Sequence, residues 1–126
     1  PATFGDSAVM PPFPGIVLVH GGGGTAFPDW VQMWAERGYA AIAMDLAGHR
    51  PIEGKDPYDR NNRTRLPNGG PDQFNANKFA AIRLDQSNHW CYHAPANVIL
   101  AHSLIQSFEE VDWQRTAVLG VSWGGT

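Results

Sequence analysis

The sequence carries a serine in a setting that favours nucleophilic catalysis. Gly120-Val121-Ser122-Trp123-Gly124 matches the pattern G-x-S-x-G and directly follows the apolar run Ala117-Val118-Leu119. In this pattern the serine occupies a strained turn between a strand and a helix, so that its hydroxyl stands clear of the sheet. Glycines flank the turn because side chains there would collide with the neighbouring strand and helix. The position of the motif after a predicted strand favours a nucleophile over a chance match in a glycine-rich loop.

A second candidate site is the run His20-Gly21-Gly22-Gly23-Gly24. Glycines allow backbone N–H groups to approach a ligand closely, and in acyl transfer such donors stabilise the oxyanion of the tetrahedral intermediate. A dinucleotide-binding fingerprint would need glycine at the position of Ala26, and a phosphate-binding loop would need a lysine that does not follow. A simple glycine turn remains the alternative to an oxyanion-binding loop.

Strands and helices that could position these motifs alternate along the chain. Three apolar runs predict strands buried on both faces, as in a parallel sheet: Ile16–Val19, Tyr39–Met44 and Ala117–Leu119. A helix is predicted to start at Pro28 and to be capped by Gly38 in the left-handed conformation. A second helix is predicted from about Pro95 to Phe108. This order predicts an α/β fold built from βαβ units.

Two segments lack such a pattern. Residues 1–14 contain Pro11, Pro12 and Pro14, which predict an irregular or edge segment. Between residues 48 and about 90, prolines and a glycine-rich turn interrupt the chain, and a helix is possible only around Phe79–Leu84. An insertion of this length is often functional. Its polar composition favours a surface excursion, and a loop that faces the substrate remains the alternative.

Together, the two motifs resemble the α/β-hydrolase superfamily over most of the chain. Three stretches are similar to the acetyl xylan esterase and prolyl-oligopeptidase-like (dienelactone hydrolase-like) branch: Ile16–Gly24, Arg37–Asp45 and Ser122–Gly125. The resemblance implies the parallel-sheet portion of an α/β-hydrolase fold, with three α/β/α layers, that stops after the nucleophile elbow. The superfamily's strand order and right-handed crossovers place the strand at Ile16–Val19 between the other two.

The resemblance also implies roles for individual residues. Ser122 would be the nucleophile, with positive φ, and the N–H groups of Trp123 and of Gly22 or Gly23 would bind the oxyanion. His20 would orient the glycine loop. We expect Gly22 or Gly23 to approach Ser122 at the carboxyl edge of the sheet.

The family's triad acid and histidine follow the nucleophile, yet only Thr126 lies beyond Gly125. We therefore expect residues 1–126 to be the N-terminal portion of a single α/β-hydrolase domain, with the insertion at about 48–90. The remaining half of that domain would be its partner and would carry both missing triad residues.

Several other residues invite a catalytic or metal-binding interpretation. His102 lies on the apolar face of its predicted helix, which favours a hydrogen-bonded core histidine. His89 and His93 could share one helical face, but Cys91 would point away from it and no carboxylate completes a metal site. Asp45 and Asp85 could be mistaken for the triad acid; for Asp45, capping or loop anchoring is the favoured interpretation.

The composition limits the remaining function classes. A chain of 126 residues with a net charge of −3 forms one domain at most and has no basic patch for nucleic acid. No apolar run approaches the roughly 18 residues of a membrane span. The single cysteine, Cys91, excludes a disulfide within the chain and leaves the compartment open.

The sequence therefore predicts a serine esterase that acts on small-molecule or carbohydrate esters without a cofactor or metal. A carbohydrate deacetylase of the acetyl xylan type is its narrowest form. A prolyl-oligopeptidase-type serine peptidase is the nearest alternative. A non-catalytic, hydrolase-like binding scaffold is the alternative from another class, because a serine without a base is not activated.

Overall fold

A mainly parallel sheet organises the chain. The structure, a computed structural model, describes residues 2–3, 10–52, 56, 59, 62–73 and 79–126. The strands are β1 (Ala2–Thr3), β2 (Phe13–Val19), β3 (Ala40–Met44) and β4 (Val111–Gly120), in the spatial order β1-β3-β2-β4. β2 is parallel to both β3 and β4, whereas β1 pairs with β3 in the antiparallel direction. The predicted central position of the first apolar strand is confirmed.

Two helices cover opposite faces of this sheet. Ile16 and Leu18 of β2 pack in the same cluster as Val31 of helix α1, which spans Pro28–Ala35. Val17 and Val19 pack in a cluster with Ile105 of helix α2, which spans Trp90–Gln106. Alternate side chains of one strand thus enter two separate cores, and each buried aliphatic side chain contributes about 1.5–3 kcal/mol. The predicted three-layer α/β fold is confirmed.

The sequence predicted α1 more accurately than α2. α1 begins at Pro28, and Gly38 has a φ of 84° in the turn that follows the helix. α2 begins at Trp90, so the predicted start at Pro95 is wrong. Trp90 explains the earlier start, because its ring is buried and its Nε1–H donates to the carbonyl of Leu46 at 2.7 Å. Pro95 removes only one backbone hydrogen bond, to the carbonyl four residues earlier.

The predicted start of the first apolar strand also needs correction. β2 begins at Phe13 and includes Pro14 although it is an inner strand, whereas the prolines predicted an irregular or edge segment through residue 14. The ladder between β2 and β4 shifts register between Pro14 and Gly15, and an irregularity of this kind accommodates a residue without an N–H. In the same predicted irregular or edge segment, Ala2–Thr3 form the edge strand β1, which agrees with the prediction, and residues 1 and 4–9 lie outside the described part of the chain.

β4 is more exposed than its apolar sequence predicted. Val118 and Leu119 are 48% and 40% exposed, so the prediction of a strand buried on both faces is wrong. Within the described residues β4 borders one strand only, β2, and it has no neighbour on its other side. An apolar strand at a sheet edge keeps part of its surface in water for this reason.

The described residues of the insertion include short helices. Short 3₁₀ helices span Ala80–Arg83 and Gln86–Asn88, and the first of them coincides with the helix considered possible at residues 79–84. The sequence also predicted that the insertion is a surface excursion or a loop that faces the substrate. That prediction includes residues 53–55, 57–58, 60–61 and 74–78, which lie outside the described ranges. No helix in the described chain is long and apolar enough to cross a membrane.

Candidate active site

Ser122 occupies an unusual backbone conformation where β4 ends. Its φ is 54°, and among the described residues it is the one non-glycine residue with positive φ. This conformation costs a residue with a side chain about 1–3 kcal/mol, and such strain clusters at functional sites. A 3₁₀ turn, Ser122–Gly125, follows immediately. The positive φ predicted for Ser122 is confirmed, and within the described residues a four-residue 3₁₀ turn follows in place of the predicted helix.

Two glycines allow this turn to pack against the end of β2. A methyl group on Gly120 would overlap the carbonyl of Gly124, and one on Gly124 would overlap the carbonyl of Val19. The same carbonyl of Val19 accepts a hydrogen bond from the N–H of Val121 at 3.1 Å. The ends of β4 and β2 therefore lie in direct backbone contact, which only glycine permits at these positions.

The glycine run forms a tight turn beside Ser122. The N–H of Gly24 donates to the carbonyl of Gly21 at 3.1 Å, and Gly23 has a φ of 80°, which a turn of type II requires at its third residue. A Cβ on Gly21 would lie 3.0 Å from the Cβ of Ser122, and a Cβ on Gly22 would lie 3.0 Å from Cδ1 of Trp123.

The structure thus brings the two sequence motifs together at the carboxyl edge of the sheet. The glycine that packs against Ser122 itself is Gly21, one position before the pair named from the sequence. Gly22 packs against the ring of Trp123, the next residue, and Gly23 turns its carbonyl towards Arg63. Trp123 is 40% exposed, and its ring centroid lies 5.5 Å from that of Phe79 in the insertion.

His20 holds the glycine turn from within the protein. Its buried ring accepts a hydrogen bond at Nε2 from the N–H of Leu46 at 2.8 Å, and Nδ1 lies 2.6 Å from the carbonyl oxygen of Gly21. Because a backbone N–H can only donate, Nε2 must be unprotonated, and Nδ1–H must donate to Gly21. Burial lowers the pKa of His20, against the opposing effect of the bond to Gly21, so the ring is neutral.

Arg63 holds the same turn from the insertion. Its side chain is 5% exposed, and its guanidinium donates from Nη2 to the carbonyl of Gly23 at 2.6 Å and from Nη1 to that of Gly24 at 3.0 Å. Nη1 lies 4.0 Å from Oδ2 of Asp45. Sequence reasoning missed Arg63, because it lies in a stretch without periodicity; its only signal is a basic residue within a polar insertion.

Asp45 anchors a loop, as the sequence favoured. Its Oδ1 accepts hydrogen bonds from the N–H groups of Ala47 and His49 at 2.8 and 3.1 Å. Asp85 caps the 3₁₀ helix that begins at Gln86, where hydrogen bonds from the hydroxyl and N–H of Ser87 lower the pKa of Asp85.

The other histidines have structural partners. His102 bonds through Nε2 to the hydroxyl of Thr116 at 2.9 Å, so the predicted hydrogen bond is present, although the residue is half-buried and not part of the core. The rings of His89 and His93 contact the carbonyls of Leu84 and Ser87. In the described ranges no group of three potential metal ligands occurs, and none of the five histidines bonds to Ser122.

Comparison with known proteins gives an informative similarity to a solved structure. No family model matches the chain, and no curated protein matches it. Among solved structures, the chain is similar to an acetyl xylan esterase from Paenibacillus sp. R4, with 29% sequence identity over 94% of this chain and a TM-score of 0.58. The chain spans 35% of the length of that esterase. The similarity supports an esterase-like α/β fold.

Proposed function

We propose that this chain provides the nucleophile and the oxyanion-binding turn of a serine hydrolase that cleaves carboxylic esters. The observation that carries the proposal is the backbone of Ser122, which is held at positive φ where β4 ends, with the glycine turn of β2 packed beside it. A strand that leads into a strained serine, with a glycine turn packed beside that serine, has the arrangement that acyl transfer requires. The similarity to an esterase supports a carboxylic ester as the substrate class.

In the proposed reaction the hydroxyl of Ser122 attacks the ester carbonyl carbon. A base takes the hydroxyl proton and passes it to the departing alcohol, which leaves an acyl group on Ser122. Water then attacks the acyl-enzyme, releases the carboxylic acid and restores the serine hydroxyl. Each attack places negative charge on the carbonyl oxygen, and positioned N–H donors stabilise that charge.

Among the glycines, Gly22 fits the donor role best. A trans peptide directs its C=O and its N–H in opposite directions. The carbonyl of Gly21 binds the ring of His20, so the N–H of Gly22 in the same peptide points away from that ring. Gly22 also lies against Trp123, whose N–H would be the second donor. Gly23 is the alternative position for the first donor.

The base and the acid are proposed to come from polypeptide outside these 126 residues. The histidines of this chain all precede Ser122, and the rings of His20, His89, His93 and His102 bond to other groups. The coverage of only 35% of the similar esterase leaves ample chain in such a protein for both residues. The remaining half of the domain would then be the partner that completes the site.

The narrowest substrate proposal is an acetyl ester of a carbohydrate, which is supported by the name of the similar esterase. The test uses the complete polypeptide that carries this chain and compares p-nitrophenyl acetate, acetylated xylan and a prolyl-peptide anilide. The proposal expects hydrolysis of both esters and loss of that hydrolysis in Ser122→Ala. Ser103→Ala is the matched control, because Ser103 is exposed on α2 and its hydroxyl donates to the carbonyl of Ile99 in the same helix.

Cleavage of the anilide alone would favour a serine peptidase over an esterase. Unchanged ester hydrolysis in Ser122→Ala would refute Ser122 as the nucleophile. Absence of all hydrolysis by a folded complete polypeptide would favour the hydrolase-like binding scaffold.

A further inference from the structure

Arg63 reaches the glycine turn from a segment distant along the chain. It lies 39 residues after Gly24 and 40 residues after Gly23, yet one guanidinium binds the carbonyls of both. The planar guanidinium offers several donors in a fixed geometry, so it can hold two neighbouring carbonyls at once, whereas a lysine ammonium acts as a single point charge. This contact joins the 48–90 insertion to the proposed oxyanion-binding turn.

The arginine is itself fixed in place. A buried guanidinium is stable only when it is hydrogen-bonded and paired, and the side chain of Arg63 is 5% exposed. Asp45, whose side chain is 4% exposed, faces Nη1 at 4.0 Å. The other oxygen of Asp45 accepts from the N–H groups of Ala47 and His49, which keeps the carboxylate in position. The arrangement runs from the end of β3 through Asp45 and Arg63 to the glycine turn.

The turn needs such external support. Glycine has more conformational freedom than any other residue, and residues 21–24 have no side chains to restrain them. His20 binds the carbonyl of Gly21 at the start of the turn, and Arg63 binds those of Gly23 and Gly24 at its end. Because the carbonyl of Gly23 points to Arg63, the N–H of Gly24 points the opposite way, where it closes the turn on Gly21.

We infer that Arg63 is a positioning residue of the proposed hydrolase. Arg63 fixes the end of the glycine turn, and His20 fixes its start, so that the N–H donors between these two contacts keep their orientation beside Ser122. This inference rests on the proposed function. It assigns the insertion a part in catalysis, in contrast to the surface excursion that its composition favoured. Arg63 acts through the turn and is not itself placed in contact with the substrate.

The test uses the complete polypeptide with p-nitrophenyl acetate and begins with Ser122→Ala, whose loss of turnover establishes the hydrolase. Arg63→Ala is then compared with Arg65→Ala. Arg65 is a matched control, because it comes from the same segment and binds the carbonyls of Ala47, Gly69 and Gly70, none of which belongs to the turn. We measure kcat, KM, thermal stability and the effect of added guanidinium on each variant.

For Arg63→Ala we expect kcat to fall about 10- to 100-fold, since small misplacements of catalytic groups cost that much, with little change in KM. Millimolar guanidinium should restore part of that kcat and should not affect Arg65→Ala. Arg63→Lys is the second variant, which keeps the test valid if Arg63→Ala does not fold. Lysine retains the positive charge, so we expect this variant to fold and still to lose kcat.

Three results would overturn the inference. One is an unchanged kcat in a folded Arg63→Ala or Arg63→Lys. Another is an equal loss of kcat in Arg65→Ala. The third is a loss in Arg63→Ala that follows the unfolded fraction and does not respond to guanidinium. Turnover that survives Ser122→Ala would instead refute the proposed function, whatever the Arg63 variants do.

Discussion

Replacement of Gly124 by alanine should disrupt the Ser122 turn, whereas the same replacement at Gly125 should not. A Cβ on Gly124 would lie 2.6 Å from the carbonyl oxygen of His20 and closer still to that of Val19, whereas ordinary contacts begin near 3.4 Å. Both oxygens belong to the backbone at the end of the central strand β2, which cannot withdraw without breaking its ladders. The Ser122 turn must therefore move away from β2.

The cost follows from two contributions. Overpacking of this kind costs about 1–3 kcal/mol, and the hydrogen bond from Val121 to Val19, now 3.1 Å long, would stretch and lose about 0.5–1.5 kcal/mol. We expect Gly124→Ala to lower the free energy of unfolding by about 2–4 kcal/mol. A Cβ on Gly125 would lie 3.2 Å from the carbonyl oxygen of Gly120, so Gly125→Ala should stay within about 1 kcal/mol of the parent.

The assay is urea unfolding of the complete polypeptide, followed by tryptophan fluorescence, together with ester hydrolysis in buffer. Gly124→Ala should unfold at a lower urea concentration and should lose more activity than its unfolded fraction explains, because Ser122 moves with the turn. Equal stability of the two alanine variants, or full activity in Gly124→Ala, would refute the packing argument.

Two further predictions concern residues that support the site. Burial lowers the pKa of His20 in the folded state, so on acidification the unfolded chain binds a proton at this ring first. The contribution of His20 to the free energy of unfolding should therefore be complete above pH 6.5 and should decrease as the pH falls below that value. Urea titrations at several pH values should show this dependence and a smaller one in His20→Asn, whereas the same dependence in both proteins would contradict a buried neutral ring. Trp90→Phe should destabilise the protein by about 1–3 kcal/mol, because the buried carbonyl of Leu46 loses its indole donor. Thermal unfolding measures this effect, with Trp113→Phe as the control because Trp113 is exposed. An equal loss of stability in the two variants would contradict the anchoring role of Trp90.

The sequence predicted those features that depend on local chemistry. Gly38, Ser122 and the start of α1 at Pro28 follow from the conformations that individual residues prefer, and all three appear where expected. The central position of β2 follows from the alternation of strands and helices together with the strand order of the family that the motifs resemble. The signals for Gly38, Ser122 and Pro28 each lie within a few residues, so they can be recognised without a structure, whereas the position of β2 also needed the strand order of that family.

The remaining features depend on contacts between distant parts of the chain. The earlier start of α2 depends on Trp90, whose indole binds the carbonyl of Leu46 at the far side of the insertion. The role of Arg63 depends on carbonyls about 40 residues away. The exposure of Val118 depends on which strands surround β4, because an apolar run has the same sequence at an edge as at the centre of a sheet.

Covalent labelling tests the central claim, that Ser122 is the nucleophile of a serine hydrolase, most directly. The complete polypeptide is treated with a fluorophosphonate, which phosphonylates activated serines, and the modified peptide is identified by mass spectrometry. We predict a single adduct on Ser122, loss of ester hydrolysis in proportion to labelling, and no adduct in Ser122→Ala. Hydrolysis that continues with Ser122 unlabelled, or an adduct on another serine such as the exposed Ser103, would contradict the account.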